Sequence, residues 1–468
     1  MLGANTSVLR RARLSRDPRF DGLFFVGVTT TGIYCRPICP ARAPREENVR
    51  YFASAAQAAD AGFRPCLRCR PESAPSSPAW VGTDTTVKRA VALIQSGFLN
   101  TASVAALAGR LGVGERYLRK LFDAKLGVSP QALAHTLRLH LAQKLLKETA
   151  LPVTQVAFAA GFRSLRRFNS ATQAAFGCAP STLRRGGRVS SGAGIALALS
   201  MRPPFDWRGV LALLRRHAVQ ALDCVDDSSW SRALTTPHGA ARVTVTYKSP
   251  TALSADIQLS DNRDLMAVVA QLRRIFDLDA QPADIDETLT EDAVLAPLVA
   301  ERPGVRSPCF PTPFEACIRA VLGQQVSTAA ARSQCARIVS ACANTSDIAG
   351  HTVTLFPGPE DIMRLPDQAL RMPAGRRATL RSICRHFAEE HFDEEQLMAI
   401  KGVGPWTTDL VAMRGYGHPD RFPLKDLGLV RAAEIAGLSP DALKQRQENW
   451  KPWRSYAANL LWRSLDHG

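Results

Sequence analysis

Apolar residues change their spacing several times along this 468-residue chain. From Thr85 to Leu183 they recur with the period of a helix and strand formers are few, which predicts an all-helical segment. Ala241-Arg-Val-Thr-Val-Thr-Tyr-Lys248 and Ala252-Leu-Ser-Ala-Asp-Ile-Gln-Leu259 alternate with period two about Ser249-Pro250, the pattern of an antiparallel hairpin with one buried face. Beyond Asn262 the helical period returns and holds almost to the end, cut into short helices by Pro and Gly. Two aperiodic stretches, Pro71-Glu-Ser-Ala-Pro-Ser-Ser-Pro78 and the Arg/Gly/Ser-rich run from Arg184 to Gly194, have the composition of linkers. One hydrophobic core does not serve a chain of this length. The expected fold is multidomain: a small α/β domain over 12–75, an all-α domain over 83–185 and an α+β domain over 194–468. In the last, an antiparallel sheet (194–283) precedes an all-helical region (284–468).

The helical middle carries an internal repeat. Leu107-Ala108, Gly112 and Val113 reappear 49 residues later as Val156-Ala157, Gly161 and Phe162, and Gly127-Val-Ser-Pro130 is echoed by Gly177-Cys-Ala-Pro180. Each copy reads as a helix, a tight turn at the Gly and a second helix, Glu115 to Phe122 in the first and Ser164 to Ala175 in the second. That is a pair of helix-turn-helix units, each with a second helix suited to a major groove. Arg116, Arg119 and Lys120 on one, and Arg163, Arg166 and Arg167 on the other, are candidates to meet bases or phosphates. A helical bundle with solvated basic faces is the bland alternative, and the repeat weighs against it. Over about a hundred residues this segment resembles the paired helix-turn-helix domain of AraC-type transcription regulators.

Charge points the same way. Lys and Arg number 59 against 42 Asp and Glu, a formal net charge of +17, which suits a polyanionic partner such as nucleic acid or an anionic membrane surface. Arg outnumbers Lys, and its planar fork fits phosphates and guanine edges. With 46% apolar and 22% charged residues, wholesale disorder is excluded. Met1 to Phe20 has five arginines but no apolar run of a signal peptide, and the apolar stretch Ile195 to Met201 is too short to span a bilayer. A cytoplasmic protein with no membrane partner is expected, in a compartment that keeps thiols reduced.

Of eleven cysteines, Cys178, Cys224, Cys309, Cys317, Cys335, Cys342 and Cys384 are scattered singly and read as core or surface residues. The other four form two short pairs, Cys35-Arg-Pro-Ile-Cys39 and Cys66-Leu-Arg-Cys69, which can close one tetrahedral four-sulfur site for one zinc ion per chain. On spacing alone such a site reads more readily as a structural zinc ribbon than as a reactive centre. The surrounding residues, Thr30-Thr-Gly-Ile-Tyr-Cys-Arg-Pro-Ile-Cys39 and Ala61-Gly-Phe-Arg-Pro-Cys-Leu-Arg-Cys-Arg-Pro71, resemble the N-terminal domain of the Ada family of methyltransferases from about Arg16 to Pro71. That resemblance implies that Cys35, Cys39, Cys66 and Cys69 hold zinc, and that Cys35 accepts a methyl group from a DNA methylphosphotriester. Zinc keeps sulfur as the attacking thiolate. Four thiolates around a zinc ion are doubly negative, and methylating one leaves the site singly negative, so affinity for DNA is expected to rise after repair. Arg36, Arg42, Arg45, Arg64, Arg68 and Arg70 are read as the cationic surround. The Ada family's Pro-Cys-His-Arg motif, which marks a second, guanine-repairing domain, is absent here.

Near the C-terminus, Leu397-Met-Ala-Ile-Lys-Gly-Val-Gly-Pro-Trp406 reads as helix, Gly-x-Gly turn, helix, with Gly402 and Gly404 letting backbone amides approach a DNA phosphate. The triplet alone is weak, since Gly112-Val-Gly114 repeats it. Joined to Asp426 twenty residues after Trp406, and to Pro203-Pro-Phe-Asp-Trp207, Arg302-Pro-Gly-Val-Arg306, Ile318-Arg-Ala-Val-Leu-Gly-Gln-Gln-Val-Ser327 and Trp450-Lys-Pro-Trp-Arg-Ser-Tyr456, it resembles the AlkA family of helix-hairpin-helix DNA glycosylases, from about Ile195 to the end. The resemblance implies that Asp426 is the catalytic carboxylate and that Trp406 and Trp462 line the base pocket. It also marks two departures: Leu410 stands where the family has a pocket tyrosine, and Gln325 where it has the leucine wedge that fills the vacated stack. Strand-cutting relatives carry a lysine at the position of Trp406, so hydrolysis without strand cleavage is expected. His386 and His391, bracketing Glu389-Glu390, lack the spacing of a zinc helix.

The function expected is DNA alkylation repair: hydrolytic release of 3-methyladenine-type bases, with methyl transfer to Cys35 coupled to transcriptional activation. Its partners are double-stranded DNA, at damaged sites and at a promoter, with RNA polymerase as a candidate. The alternative is a transcription regulator whose repair-like domains only sense damaged DNA.

Overall fold

The computed structural model describes residues 6–66, 68–69, 71, 85–184, 194–388 and 394–465. Most of both linker stretches, Arg70, and the Glu389-Glu390 pair with His391 lie outside the described residues.

The N-terminal unit is a four-stranded sheet of β1 (Phe25–Val28), β2 (Ile33–Cys35), β3 (Val49–Phe52) and β4 (Arg64–Pro65) in the order β3-β1-β2-β4. Its core is Phe25, Tyr34, Phe52, Ala58 and Phe63. The pairs β1–β2 and β1–β3 are antiparallel, while β2 and β4 run parallel, with Tyr34 opposite Pro65 and the Cys66 amide donating to the Tyr34 carbonyl at 2.9 Å. Parallel pairing sets the ends of β2 and β4 side by side, so Cys35 and Cys66 emerge together.

The middle unit reproduces its sequence repeat as geometry. Helix α1 (Val104–Arg110) turns at Gly112 into α2 (Glu115–Leu126); after the long α3 (Pro130–Glu148), α4 (Val153–Ala159) turns at Gly161 into α5 (Leu165–Phe176). Ser103, Ser129 and Ser164 cap α1, α3 and α5 through their hydroxyls, and α2 and α5 both end on a left-handed glycine, Gly127 and Gly177.

The C-terminal unit begins with an antiparallel sheet of β5 (Ile195–Ser200), β6 (Asp223–Val225), β7 (Ser229–Thr236), β8 (Gly239–Ser249) and β9 (Ala252–Leu259), ordered β5-β9-β8-β7-β6. The hairpin expected around Ser249-Pro250 is β8–β9, with Ser249 opposite Ala252. The helical remainder includes α6 (Pro313–Gly323), α7 (Glu394–Ala399), α8 (Pro405–Tyr416), α9 (Leu427–Ile435) and α10 (Arg454–Ser464). The expectation of an all-helical region is corrected at one place, where β10 (Thr345–Ile348) and β11 (His351–Thr354) form a short hairpin. Ala349 and Gly350 both take positive φ, as a two-residue hairpin turn requires. Ile348 and Leu355 pack on Ala233 and Ala240 of the sheet. Strands of four residues with Thr, Ser, Asp and His on the solvent side give too weak an alternation to read. Among the described residues no helix is long and apolar enough to cross a membrane.

The units are joined by packing. The first helix-turn-helix has its own core around Leu107, Leu118 and Phe122, which takes in Ala56 of the N-terminal unit. The second shares one continuous core with the sheet: Val156, Phe162 and Phe168 belong with Leu197, Val243 and Ile257. The exposed edge of β5 is covered by α3, whose Lys144 ammonium donates to the Ala198 carbonyl while the Ala198 amide donates to Glu148 at 3.2 Å. Fully buried Arg202, just after β5, donates to the carbonyls of Asp21 (2.9 Å), Asp279 (2.8 Å) and Ala280 (3.1 Å), tying the N-terminal unit to the C-terminal one.

Arg202→Met fills similar space but leaves three carbonyls without this donor. It is expected to lower stability by about 2–3 kcal/mol in chemical denaturation, with the N-terminal unit becoming the first segment cut by protease. An unchanged midpoint would show that the arginine does not join the units.

Candidate thiol cluster and carboxylate cleft

The thiol cluster is assembled from strand ends. Cys35 closes β2, Cys66 follows β4, and Cys39 and Cys69 lie three to four residues further on each turn, which brings all four sulfur atoms within 4.8 Å of one another. Cys66 and Cys69 are buried, whereas Cys35 and Cys39 are half-exposed. The four thiols cannot ionise independently. Hydrogen bonds from Cys35 drive Cys39 down to about 7 and drive Cys66 lower still, while the sharing of protons with Cys39 and with Cys35 pushes Cys35 and Cys69, respectively, upward. Four soft donors in so small a space suit a tetrahedral thiophilic ion such as zinc, which removes that competition by favouring every thiolate.

Arg36 departs from the expectation of a free cationic surround. Its guanidinium is paired with Asp21, with Nε at 2.8 Å from Oδ1, and also donates to the Cys69 carbonyl at 3.2 Å, while its backbone amide donates to Cys69 Sγ at 3.3 Å. Its role is to hold the cluster. An Asp partner fifteen residues upstream has no sequence signature, so the reading from charge alone misassigned it. Arg42, Arg45, Arg64 and Arg68 are exposed as expected. Tyr34, which the sequence reading missed, lies buried beside Cys35 and bonds His140 of α3 through its hydroxyl at 2.7 Å. Burial holds His140 down at about 4, so the imidazole meets that hydroxyl uncharged.

On the helix-turn-helix units, Arg116 on α2 and Arg166 and Arg167 on α5 are exposed. Arg119 is exposed too but paired with Glu115 one turn earlier, at 3.0 and 2.6 Å.

The carboxylate lies in a cleft of about 1710 Å³ whose walls include Gln325, Gly402, Gly404, Trp406, Leu410, Asp426 and Trp462. Every site residue expected in the C-terminal unit is thus brought to one place. Asp426 is the N-cap of α9 and accepts from the Leu429 amide at 3.1 Å. Trp406, from the start of α8, donates its indole N–H to Oδ2 at 3.0 Å, and Trp462, from α10, donates to Oδ1 at 2.8 Å. Three donors from three helices fix both oxygens of one carboxylate. Both indoles line the cleft and spend their in-plane N–H groups on Asp426, and the guanidinium of Arg414 lies 5.2 Å from the Trp462 ring centre. Arg414 shares a face of α8 with Trp406 and Leu410 at four-residue intervals, a signal that could have found it. Gly428 was also missed; a Cβ there would stand 3.0 Å from Asp426 Oδ1 and 3.2 Å from the Trp462 ring.

Below the cleft, the turn between α7 and α8 needs Gly402, whose φ is +91° and whose missing side chain leaves room for Thr379 Oγ1, itself bonded to the Lys401 carbonyl at 2.7 Å. No side chain caps α8 at Gly404, and the space beside Gly404 is open, which leaves the first turn of that helix uncapped as an anion site would require. Gln325 is exposed and holds a positive φ of 55°. The loop keeps that conformation because Gln324 bonds the Gly402 carbonyl at 2.8 Å and Thr407 at 3.1 Å, and Arg376 bonds the Gln324 carbonyl at 2.7 Å.

Comparison with known proteins matches these parts in order. Residues 9–72 match the metal binding domain of Ada, 107–186 a helix-turn-helix domain, 196–310 the AlkA N-terminal domain and 318–455 the HhH-GPD superfamily of base excision DNA repair proteins. A probable bifunctional transcriptional activator/DNA repair enzyme AlkA from Mycobacterium tuberculosis is 40% identical over 98% of this chain and 96% of its own. DNA-3-methyladenine glycosylase 2 of Escherichia coli is 32% identical over 56% of this chain and 95% of its own length; the bifunctional Ada of the same organism is 35% identical over 37%, about half (48%) of its own length. The solved 3-methyladenine DNA-glycosylase from Archaeoglobus fulgidus, 21% identical, covers 58% of this chain and 98% of its own with a TM-score of 0.51, a likeness of fold. With a zinc-binding thiol domain, a DNA-binding helix-turn-helix pair and a glycosylase fold in one chain, the protein belongs to the family of bifunctional transcriptional activator/DNA repair enzymes.

Proposed function

We propose that the chain repairs alkylated DNA by two separate reactions: hydrolytic release of 3-methyladenine-type bases at Asp426, and transfer of a methyl group from a DNA methylphosphotriester to Cys35, which then favours transcriptional activation. The observation that carries the reading is the Asp426 carboxylate, held by two indoles in a cleft floored by the Gly402–Gly404 turn.

In the first reaction, Gly402, Gly404 and Gln325 contact the DNA backbone and the gap left by the flipped base, and Trp406, Leu410 and Trp462 bound the pocket. As the glycosidic bond lengthens, positive charge grows on the sugar, and the fixed Asp426 carboxylate stabilises it and orients the attacking water. Trp406 occupies the place where an amine would attack, so water adds to the sugar, the base leaves, and the strand stays intact.

In the second, Cys35, Cys39, Cys66 and Cys69 would hold one zinc ion, which would keep their sulfurs as thiolates. Cys35 Sγ attacks the methyl carbon; the new S–C bond forms as the O–C bond breaks, and the phosphodiester anion leaves. The half-exposure of Cys35 supports this choice over buried Cys66 and Cys69. Loss of one negative charge then strengthens DNA binding through Arg116, Arg119, Arg166 and Arg167, with RNA polymerase as the downstream partner.

Purified protein on methylated DNA is expected to release free base without nicking, and Asp426→Asn to lose at least about a hundredfold in rate, roughly 3 kcal/mol, while still binding DNA. Borohydride trapping of a covalent adduct, or near-normal release by the variant, contradicts the mechanism.

Trp462→Phe keeps the ring and removes one donor to Asp426. About a tenfold slower single-turnover release is expected, near 1.4 kcal/mol, with DNA affinity retained; an unaltered rate would mean that the indole does not position the carboxylate.

On methylphosphotriester DNA, mass spectrometry is expected to find one added methyl on the Cys35 peptide and tighter DNA binding afterwards. Continued removal of the methyl by Cys35→Ala would assign the acceptor elsewhere.

A further inference from the structure

Helix α9 begins with a side chain that the folded chain alone does not explain. Leu427, the residue after Asp426, is 81% exposed, more than any other large apolar side chain among the described residues. It is also part of the cleft wall, which it shares with Asp426 and Gln325. Its neighbours in the helix behave ordinarily: Leu429, Ala432 and Ala433 point inward and are buried. Leu427 could have been polar at no cost to the core, and a leucine left in water at a mouth meant for DNA is poised for an apolar surface that arrives with the ligand.

Such a surface appears when a base leaves the duplex. The vacated space is flanked by two base faces, and proteins that open a stack commonly fill it with an apolar side chain. Gln325 lines the same cleft, is exposed and holds a positive φ, but its amide is polar and matches stacked bases poorly. Leu427 has the chemistry that Gln325 lacks, and its place directly after Asp426 keeps it close to any nucleotide presented to that carboxylate.

We propose that Leu427 is the positioning residue that fills the stack when a base is flipped toward Asp426, in the cleft it shares with Gln325. The inference rests on the glycosylase reading above. It assigns to the start of α9 a DNA contact that acts before bond cleavage, distinct from the carboxylate beside it. Ile435, on the same helix and 68% exposed, does not line the cleft and lies about 12 Å further along the axis. It therefore serves as the control for a merely sticky surface.

The test uses the full-length protein and a duplex carrying a single 7-methylguanine, either paired with cytosine or placed in a three-nucleotide bubble where the stack is already open. Leu427→Ala is expected to slow single-turnover release from the paired duplex at least about tenfold more than release from the bubble. Leu427→Phe is expected to recover most of that difference, and Ile435→Ala to leave the ratio of the two rates as in the parent protein. A ratio unchanged in Leu427→Ala, or equal losses on both substrates, overturns the inference, because the side chain would then be idle or part of the base pocket. A similar shift in Ile435→Ala also overturns it, in favour of general apolar contact. Absence of base release by the parent protein from either substrate would instead defeat the glycosylase reading, and this inference with it. Because Leu427 is exposed, its variants are expected to keep the parent unfolding midpoint, which separates a lost contact from a lost fold.

Discussion

Helix α3 is the constraint on which the rest of the structure depends. Its buried positions run all the way round, from Leu133 and Ala134 through Leu139 and Ala142 to Leu145 and Leu146, so it has no face that belongs to solvent alone. Arg138 donates to Asn100 Oδ1 at 2.7 Å within the helical unit, His140 meets Tyr34 beside the thiol cluster, and Lys144 with Glu148 covers the edge of β5. Each contact is polar and directional, and each is embedded in apolar packing. One helix thereby fixes the thiol cluster and the sheet against the helix-turn-helix pair.

The two proposed reaction centres solve different electrostatic problems. At the N-terminus, four sulfurs are crowded together and need a cation before all can be thiolates; Arg36, neutralised by Asp21, braces the cluster without adding a free charge. At the C-terminus, a single carboxylate is oriented by N–H donors from three helices, so its position does not depend on any one loop. Arg414 illustrates the difference. It is buried beside Trp462, with its charge directed to the Pro308 carbonyl at 3.0 Å and Asn459 at 2.7 Å, and so it stiffens the wall without pairing directly with Asp426.

Much of this was legible in the sequence wherever the chemistry is local. The two cysteine pairs, the Gly-x-Gly turn and the β8–β9 alternation each lie within a few residues, and the spacing from Trp406 to Asp426 carried the rest of the cleft by resemblance. What the sequence did not disclose depends on partners far apart in the chain. Arg36 reads as a free cation until Asp21 is seen, and Arg202 looks like any basic residue until it meets the carbonyls of Asp21, Asp279 and Ala280. The β10–β11 hairpin is hidden because only Ile348 of its eight strand residues is buried, too little to make a pattern. The apolar run around α3 was a sign of burial on every side, visible in the sequence but read only as helical period.

The most direct test of the central claim, two independent repair chemistries in one chain, is a double assay on DNA methylated at both phosphates and purines. Cys35→Ala and Asp426→Asn would each be followed for methyl transfer to protein and for free base in the same tube. The account predicts a clean exchange: Cys35→Ala releases base at the parent rate but takes up no methyl, and Asp426→Asn takes up methyl but releases little base. Loss of both activities in either folded variant would contradict it.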